Sequence, residues 1–163
     1  MLVVADTGPL HYLILVGQVD LLERLFGAIT IPTAVRDELD RPGTPASVRM
    51  WIASPPPWLS VAPGPDANAD AALAALDPGE QAVIALAVLL RAELVLMDDR
   101  AGVAAARARG LAVTGTLGLL DRGARRGLVD LAAAFAALQA TNFHTRPALL
   151  DALVAAWKKD CGT

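Results

Sequence analysis

The chain has a single cysteine, Cys161, and no apolar stretch long enough to cross a membrane. One cysteine cannot form an internal disulfide, so we interpret it as incidental. The longest apolar run, Ala82 to Leu90, is far shorter than the ~20 residues that a membrane helix needs. The chain does not open with the charged, apolar and small-residue pattern of a signal peptide. We therefore expect a cytoplasmic protein without a membrane partner.

Several motifs of common enzyme classes are also missing. The sequence has no metal-thiolate spacing, no glycine-rich phosphate loop and no serine nucleophile elbow. The segment Gly115 to Gly118 is too short to count as a dinucleotide fingerprint. His11 and His144 are far apart and have no evident partner, which favours packed or surface roles over catalysis.

Lysine is scarce, since Lys158 and Lys159 are the only two, and the net charge of the chain is −3. This balance argues against a protein that coats nucleic acid unspecifically. The stretch 100–126 is nevertheless rich in arginine, a residue that binds phosphate well. Asp121 is the only acidic residue in this stretch. Two interpretations of these arginines stand side by side: they form solvated helix faces, or they contact phosphate. The set comprises Arg100, Arg107, Arg109, Arg122, Arg125 and Arg126.

Short apolar runs alternate with helical patterns, which is typical of an α/β fold with parallel strands. The length of 163 residues predicts a single domain over residues 1–163, with C-terminal helices at about 130–157 packed on it. Strands are predicted at about 2–5, 28–31, 93–97 and 111–114, with a weaker one at 58–62, and a polar loop at 63–68. Helices are predicted from Pro9 through Ile14, Asp20 to Phe26, Pro32 to about Asp40, Pro45 to Ile52, Pro78 to Arg91, Arg100 to Arg109, Leu117 to Arg126, Asp130 to Gln139 and Pro147 to Trp157.

Acidic residues follow two of the predicted strands directly. Asp6 ends the run Leu2 to Ala5, and the pair Asp98-Asp99 ends the run Leu94 to Met97. Ligands of open parallel sheets bind beyond the carboxyl ends of the strands, where such carboxylates can converge. Clustered carboxylates repel one another unless a cation lies among them, and their oxygens suit Mg²⁺ or Mn²⁺. The pattern therefore predicts a metal site.

Each acid also has a structural interpretation. Asp6 can cap the helix that follows it, and Asp77-Pro78-Gly79-Glu80 matches a capping box. One of Asp98 and Asp99 can cap the next helix while the other faces the site. Glu38 lies about two turns past Pro32, some ~10 Å along its helix, where a solvated helix end is an equal alternative.

Five short stretches, taken in their order and spacing, resemble the PIN-domain nucleases, specifically the bacterial and archaeal branch related to the VapC toxins. The stretches are Val4–Leu10 (VADTGPL), Ile31–Leu39 (IPTAVRDEL), Leu76–Ala87 (LDPGEQAVIALA), Leu94–Arg100 (LVLMDDR) and Gly110–Leu120 (GLAVTGTLGLL).

The resemblance implies a three-layer α/β/α fold with a central, mainly parallel sheet of four to five strands. It also implies one or two Mg²⁺ or Mn²⁺ ions and cleavage of single-stranded RNA by the toxin of a toxin–antitoxin pair. By position, the four acids of the family fall on Asp6, Glu38, Glu80 and either Asp98 or Asp99. Alignment on Ile84 instead places Gln81 at the third acid and selects Asp99.

The predicted chemistry is metal-assisted phosphodiester hydrolysis. Asp6 and Asp98 or Asp99 would bind the metal directly, while Glu38 and Glu80 would bind through water or orient the nucleophile. We expect Arg100 and Arg107 to contact RNA, and Thr116 is a possible hydrogen-bonding residue of the site.

The expected partners are an antitoxin and a second copy of the chain, on a face near helices 10–16 and 20–26. The alternative function is a degenerate PIN-like module that binds protein or nucleic acid. A receiver-like signalling domain fits less well, because the acidic pair follows a late strand and Lys158 lies in the last helix.

Overall fold

A computed structural model describes residues 1–65 and 70–162. Residues 66–68 of the predicted polar loop therefore lie outside the described residues. The strands are β1 (Val3–Ala5), β2 (Ile29–Pro32), β3 (Leu59–Ala62), β4 (Leu94–Leu96) and β5 (Val113–Thr114). The helices are α1 (Thr7–Leu15), α2 (Leu21–Phe26), α3 (Thr33–Leu39), α4 (Ala46–Ala53), α5 (Pro78–Leu90), α6 (Arg100–Ala108), α7 (Thr116–Arg125), α8 (Leu131–Gln139) and α9 (Pro147–Cys161), with a 3₁₀ turn at Ala71–Leu73.

The five strands form one parallel sheet in the order β3-β2-β1-β4-β5. The central strand β1 is paired with β4 in a register that places Ala5 beside Leu96. The Asp6 N–H donates to the Leu96 carbonyl at 2.8 Å and extends this pairing by one residue. The predicted α/β fold with a central parallel sheet is therefore confirmed, and Asp6 emerges at the same edge of the sheet as Asp98.

Helices flank the sheet, which explains why its central strands are apolar throughout rather than alternating. All residues of β1 and β4 are buried. Helix α5 packs against β1, β2 and β4, while α1 packs against α3, α4 and α7. No helix in the described part of the chain has the length and apolar character of a membrane span.

The C-terminal helix α9 is attached to α7 by polar contacts as well as packing. The Trp157 indole N–H donates to the Ala124 carbonyl at 3.2 Å. Arg125 donates to Asp121 at 2.9 Å and to Asp160 at 2.8 Å, which joins the two helices. These contacts place the last helix beside α7, whose first residue is Thr116.

Several predicted boundaries were wrong by a few residues. Pro32 is the last residue of β2 and precedes α3, because its backbone is extended at ψ 158°. Helix α1 begins at Thr7 rather than Pro9, and α9 continues to Cys161. Asp20 stands before α2, but its side chain caps no backbone N–H. The 3₁₀ turn at Ala71–Leu73 was not predicted, although Asp70 caps it through the Ala72 N–H.

Candidate active site

Asp6 occupies the end of the central strand and is 7% exposed. It precedes α1, yet its side chain makes no capping hydrogen bond, so the predicted capping role is not the one that the structure shows. Burial raises the pKa of Asp6 to about 7, the Thr7 N–H opposes this shift, and the charges of Glu38, Asp77 and Asp98 add to it. A carboxylate placed here is destabilised by its surroundings.

Asp98 lies beyond the neighbouring strand β4 and is held by Thr116 at the start of α7. The Thr116 N–H donates to Oδ1 at 2.7 Å, and the Thr116 hydroxyl donates to Oδ2 at 2.6 Å. Burial raises the pKa of Asp98, whereas the two bonds from Thr116 lower it. Thr116 itself is fully buried, so the Asp98 carboxylate is oriented by a residue of the protein interior.

Two glycines let the backbone approach Asp98 closely. A methyl group added at Gly115 would lie 2.5 Å from Asp98 Oδ1, and one added at Gly8 would lie 3.2 Å from Oδ2. Any other residue at position 115 would therefore displace the carboxylate. The pair Gly115-Thr116 thus supplies both the space for Asp98 and the hydrogen bonds that fix it.

Glu38 reaches the site from the last turn of α3. Its Oε2 accepts a hydrogen bond of 2.5 Å from the hydroxyl of Thr7, the residue after Asp6. Gly79, in the first turn of α5, lies against the same carboxylate, because an added methyl group would be 2.9 Å from Oε2 and would overlap Oε1. The positive N-terminal end of α5 therefore faces Glu38, and the solvated helix end considered above is not what the structure shows.

Glu80 and Asp77 form the predicted capping box, which is confirmed. The Glu80 N–H donates to Asp77 Oδ1 at 2.8 Å, and the Asp77 N–H donates to Glu80 Oε2 at 3.3 Å. Glu80 is only 8% exposed, so burial raises its pKa, and the charges of Asp77 and Asp99 raise it further. A cap made by a buried acid beside two others has a higher electrostatic cost than a surface cap.

Asp98 and Asp99 separate into two roles. Asp99 is exposed and caps α6, since its Oδ2 accepts a bond of 3.0 Å from the Gly102 N–H. Asp98 points instead toward Thr116 and Gly8. The charges of Glu38, Asp77 and Asp98 thus all act on Asp6, while those of Asp77 and Asp99 act on Glu80.

The arginines of the predicted phosphate-binding set differ in their contacts. Arg109 is paired with Asp70 at 2.7 Å, and Arg125 with Asp121 and Asp160. The guanidinium of Arg122 lies 5.7 Å from the centre of the Phe26 ring. Arg100 and Arg107 are exposed on α6 and take part in no ion pair between the described residues, so their side chains remain available.

The donor chemistry fits a hard divalent cation, although the side chains are not gathered into a coordination shell. In residues 1–65 and 70–162, no three His, Cys, Asp or Glu side chains are arranged so that they could hold an ion. Asp6, Glu38, Glu80 and Asp98 also have no Lys, Arg or His in an ion pair within those ranges. Buried carboxylates without a counter-charge would be stabilised by a cation, and carboxylate oxygen suits Mg²⁺ or Mn²⁺.

Three contributors were not predicted from the sequence as members of the site. Asp77 was interpreted only as a cap, but its charge also raises the pKa of Asp6. Thr7 orients Glu38, and Gly79 gives Glu38 its space. The position of Thr7 directly after Asp6 is the sequence signal that could have identified its hydrogen bond to Glu38.

Comparison with known proteins gives one result for family membership. A protein-family model described as a PIN domain matches residues 2–159, which is nearly the whole chain. No curated protein and no solved structure matches the chain significantly. The matched range contains all five strands and every acid of the site. The chain therefore belongs to the PIN-domain family, whose members are generally nucleases.

Proposed function

We propose that this protein is a metal-dependent endoribonuclease that cleaves single-stranded RNA. The observation that carries the proposal is the position of Asp6, a buried acid at the centre of the sheet edge. The charges of Glu38, Asp77 and Asp98 act on it, and no cation among the described residues forms an ion pair with it. Such an arrangement is unfavourable in the free protein and becomes favourable with a divalent ion. A metal site therefore explains the unfavourable burial of Asp6 better than a packing role does.

Within this proposal, Asp6 and Asp98 are the metal ligands, and Asp99 stabilises α6. A bound Mg²⁺ or Mn²⁺ would activate a water molecule and stabilise negative charge at the phosphate. Glu38, oriented by Thr7, would hold the attacking water or receive its proton. Arg100 and Arg107 would contact the RNA backbone, which the acids would otherwise repel.

The proposed biological role is that of a toxin in a toxin–antitoxin pair. It rests on the resemblance of the five sequence stretches to the VapC-related branch. Exposed apolar side chains, among them Met50, Leu89 and Leu149, are available for contact with an antitoxin or a second copy of the chain. Growth arrest on expression, relieved by co-expression of the product of the adjacent reading frame, would support this role. Normal growth under expression of active enzyme would contradict it.

The enzymatic proposal is tested by cleavage of a labelled single-stranded RNA with Mg²⁺ or Mn²⁺. Asp6→Asn and Glu38→Gln should each lower the rate by about 100-fold or more, since each removes a charge that acts on the reacting phosphate or water. The matched control is Asp37→Asn, because Asp37 is exposed on the same helix and pairs with Arg36. Equal activity of all three variants and the wild type would reject the assignment.

A second candidate function is a PIN-like module that binds RNA or protein without cleaving it. It is favoured by the absence, within the described residues, of a ready-made group of three metal-binding side chains. The same assay distinguishes the two functions. Retained RNA binding, without cleavage or thermal stabilisation by Mn²⁺, would select the binding module.

A further inference from the structure

Aromatic residues are scarce in this chain, yet two of them lie together with a histidine on the surface. Tyrosine, phenylalanine and tryptophan make up 4% of the residues. The Tyr12 ring packs edge-on against Phe143 with centroids 4.9 Å apart, and against His11, also at 4.9 Å. We call these three side chains the aromatic cluster. It joins α1 to the segment between α8 and α9.

The position of the aromatic cluster follows from the geometry of α1. Gly8 lies against Asp98, as shown above. His11 and Tyr12 follow Gly8 by three and four residues, so they lie one turn further along the same face of the helix. Helical side chains lean toward the N-terminus, which here is the end at Asp6. The side chains of His11 and Tyr12 therefore lie on the face of α1 that carries Gly8, next to the acidic site, and Phe143 lies against Tyr12.

The electrostatics agree with this placement. Burial raises the pKa of the Tyr12 hydroxyl, and the charge of Asp98 raises it further, so Tyr12 lies within range of the charge of Asp98. Burial lowers the pKa of His11, which favours the neutral form of its ring. A neutral imidazole and two hydrocarbon-rich rings have no ionic attraction for phosphate, but they have faces that suit a planar base.

The cluster is not part of the sealed core of the protein. His11, Tyr12 and Phe143 are each only partly buried, in contrast to Leu10 and Leu13 on the same helix, which are fully buried. The Tyr12 hydroxyl donates to Asn142 Oδ1 at 2.9 Å, which fixes the ring against the α8–α9 connection. A ring held in one orientation loses little conformational entropy when a ligand stacks on it.

We propose that the aromatic cluster is a base-stacking site for a nucleotide of single-stranded RNA that flanks the scissile phosphate. The inference rests on the proposed function and deepens it, because it assigns the base of the substrate to a second set of residues. The bases of single strands can be splayed onto aromatic side chains, whereas those of a duplex are already stacked. The cluster would thus select unpaired RNA at the site of cleavage.

The test is RNA binding by the full-length protein, measured as the fluorescence anisotropy of labelled 12-nucleotide RNAs. Ca²⁺ replaces Mg²⁺, since it takes the same oxygen ligands, and gels verify that the RNA stays intact. One RNA is complete, and the others each carry a single abasic residue. Tyr12→Leu and Phe143→Leu should bind the complete RNA about 5-fold to about 150-fold more weakly. Tyr12→Phe should retain most of the affinity, because it keeps the ring.

Measuring the leucine variants on the abasic RNAs distinguishes a loss of stacking from a defect in folding. At one or two abasic positions the wild type should already bind weakly, and the leucine substitutions should have little further effect. The control Trp51→Leu removes a half-buried ring that packs on Trp58, 5.8 Å away, at the amino-terminal edge of the sheet. It should leave RNA binding unchanged even if it lowers the melting temperature.

Two results would overturn the inference. One is equal loss of affinity on complete and abasic RNAs, which would mean that the rings only hold the α8–α9 connection in place. The other is unchanged binding by Tyr12→Leu and Phe143→Leu. If the wild type cleaves RNA in Mn²⁺ and either result is found, only the stacking site is rejected. If the wild type neither binds nor cleaves RNA, the proposed function is rejected with it.

Discussion

Thr116 donates two hydrogen bonds to Asp98, one from its backbone N–H to Oδ1 and one from its hydroxyl to Oδ2. Both oxygens of the carboxylate are thereby fixed by a residue that is itself fully buried. A carboxylate oxygen can accept more than one bond, so this arrangement orients Asp98 without using up its capacity to bind a cation. Thr116 is in this sense a positioning residue for Asp98.

Replacement of Thr116 tests that relationship. Thr116→Val keeps the shape and the backbone N–H but removes the hydroxyl bond to Oδ2. We expect it to weaken Mn²⁺ binding by about 10-fold to about 100-fold, as is typical when a residue that orients a ligand is lost. Calorimetric titration with Mn²⁺ measures the effect. Thr116→Ser, which retains a hydroxyl, should bind close to the wild-type level, and equal affinity of the valine variant would refute the role.

Gly115 should tolerate no side chain, for reasons of space rather than of backbone conformation. Its φ of −106° is accessible to any residue, but a methyl group would lie 2.5 Å from Asp98 Oδ1 and 3.3 Å from the Met97 carbonyl. Gly115→Ala should therefore displace Asp98 and abolish metal-dependent cleavage. Gly64→Ala is the matched control, since an added methyl there meets nothing nearer than 3.9 Å. Similar activity of the two variants would contradict the prediction.

The stability of the metal-free protein should fall as the pH rises from about 4 to about 7. The pKa of Asp6 is about 7 in the folded protein against an ordinary 3.8, so over this interval the folded state holds a proton that the unfolded state has released. This difference corresponds to about 4 kcal/mol at most, and relaxation of the site reduces it. Asp98 and Glu80 contribute in the same direction, because their pKa values are also raised.

Asp6→Asn should flatten this pH dependence and make the metal-free protein more stable at pH 7.5. Urea unfolding at pH 4.5, 6 and 7.5 measures the free energy of unfolding in each case. Mn²⁺ should stabilise the wild type more at pH 7.5 than at pH 4.5, because protonated carboxylates bind cations poorly. Stability of the wild type that rises steadily from pH 4.5 to 7.5 would show that the pKa of Asp6 is not raised in the folded protein.

Glu80 can be tested without disturbing its cap, since glutamine also completes a capping box. Glu80→Gln removes the charge that Asp77 and Asp99 oppose. We expect the variant to be as stable as the wild type or more so, while its cleavage rate falls by about 10-fold or more because an ionisable carboxyl group of the site is lost. Wild-type cleavage by a stable variant would assign Glu80 to capping alone.

Arg100 and Arg107 should contribute to RNA affinity through phosphate contacts. Arg100→Glu and Arg107→Glu should weaken binding, and each lost contact should lower the slope of log affinity against log salt by about 0.7. Arg91→Glu is the control. Arg91 is exposed at the C-terminal end of α5, whereas the acidic site lies at the N-terminal end of that helix. An unchanged slope in both test variants would place the phosphate contacts elsewhere on the protein.

Much of the fold could be predicted because its signals are local. The apolar runs before Asp6 and Asp98 are strands that helices cover, and such strands read as continuous apolar segments. The capping box at Asp77 and Glu80 is encoded within four residues. Pro32 was assigned to the wrong element because proline suits both the last residue of a strand and the start of a helix, and only the pairing of β2 with β3 decides between them.

The composition of the site was harder to predict, because it depends on contacts between distant residues. Thr7 meets Glu38 across 31 positions, and Thr116 meets Asp98 across 18. The choice between Asp98 and Asp99 depended on whether each side chain turns toward α6 or α7, and adjacent residues give no local signal for that. Gly79 illustrates the same limit, since its small size matters only when α3 has docked against α5.

The strand order β3-β2-β1-β4-β5 has a consequence for when the acidic site forms during synthesis on the ribosome. Asp6 and Glu38 belong to the first part of the chain to be synthesised, but their neighbour Asp98 arrives only with β4, and its anchor Thr116 only after β5. The first three strands can pair before the acidic centre exists. A nascent or truncated chain that ends before β4 would thus have Asp6, Glu38 and Glu80 and three of the five strands, but neither Asp98 nor Thr116. The proposed cleavage activity would therefore arise only after most of the chain has left the ribosome.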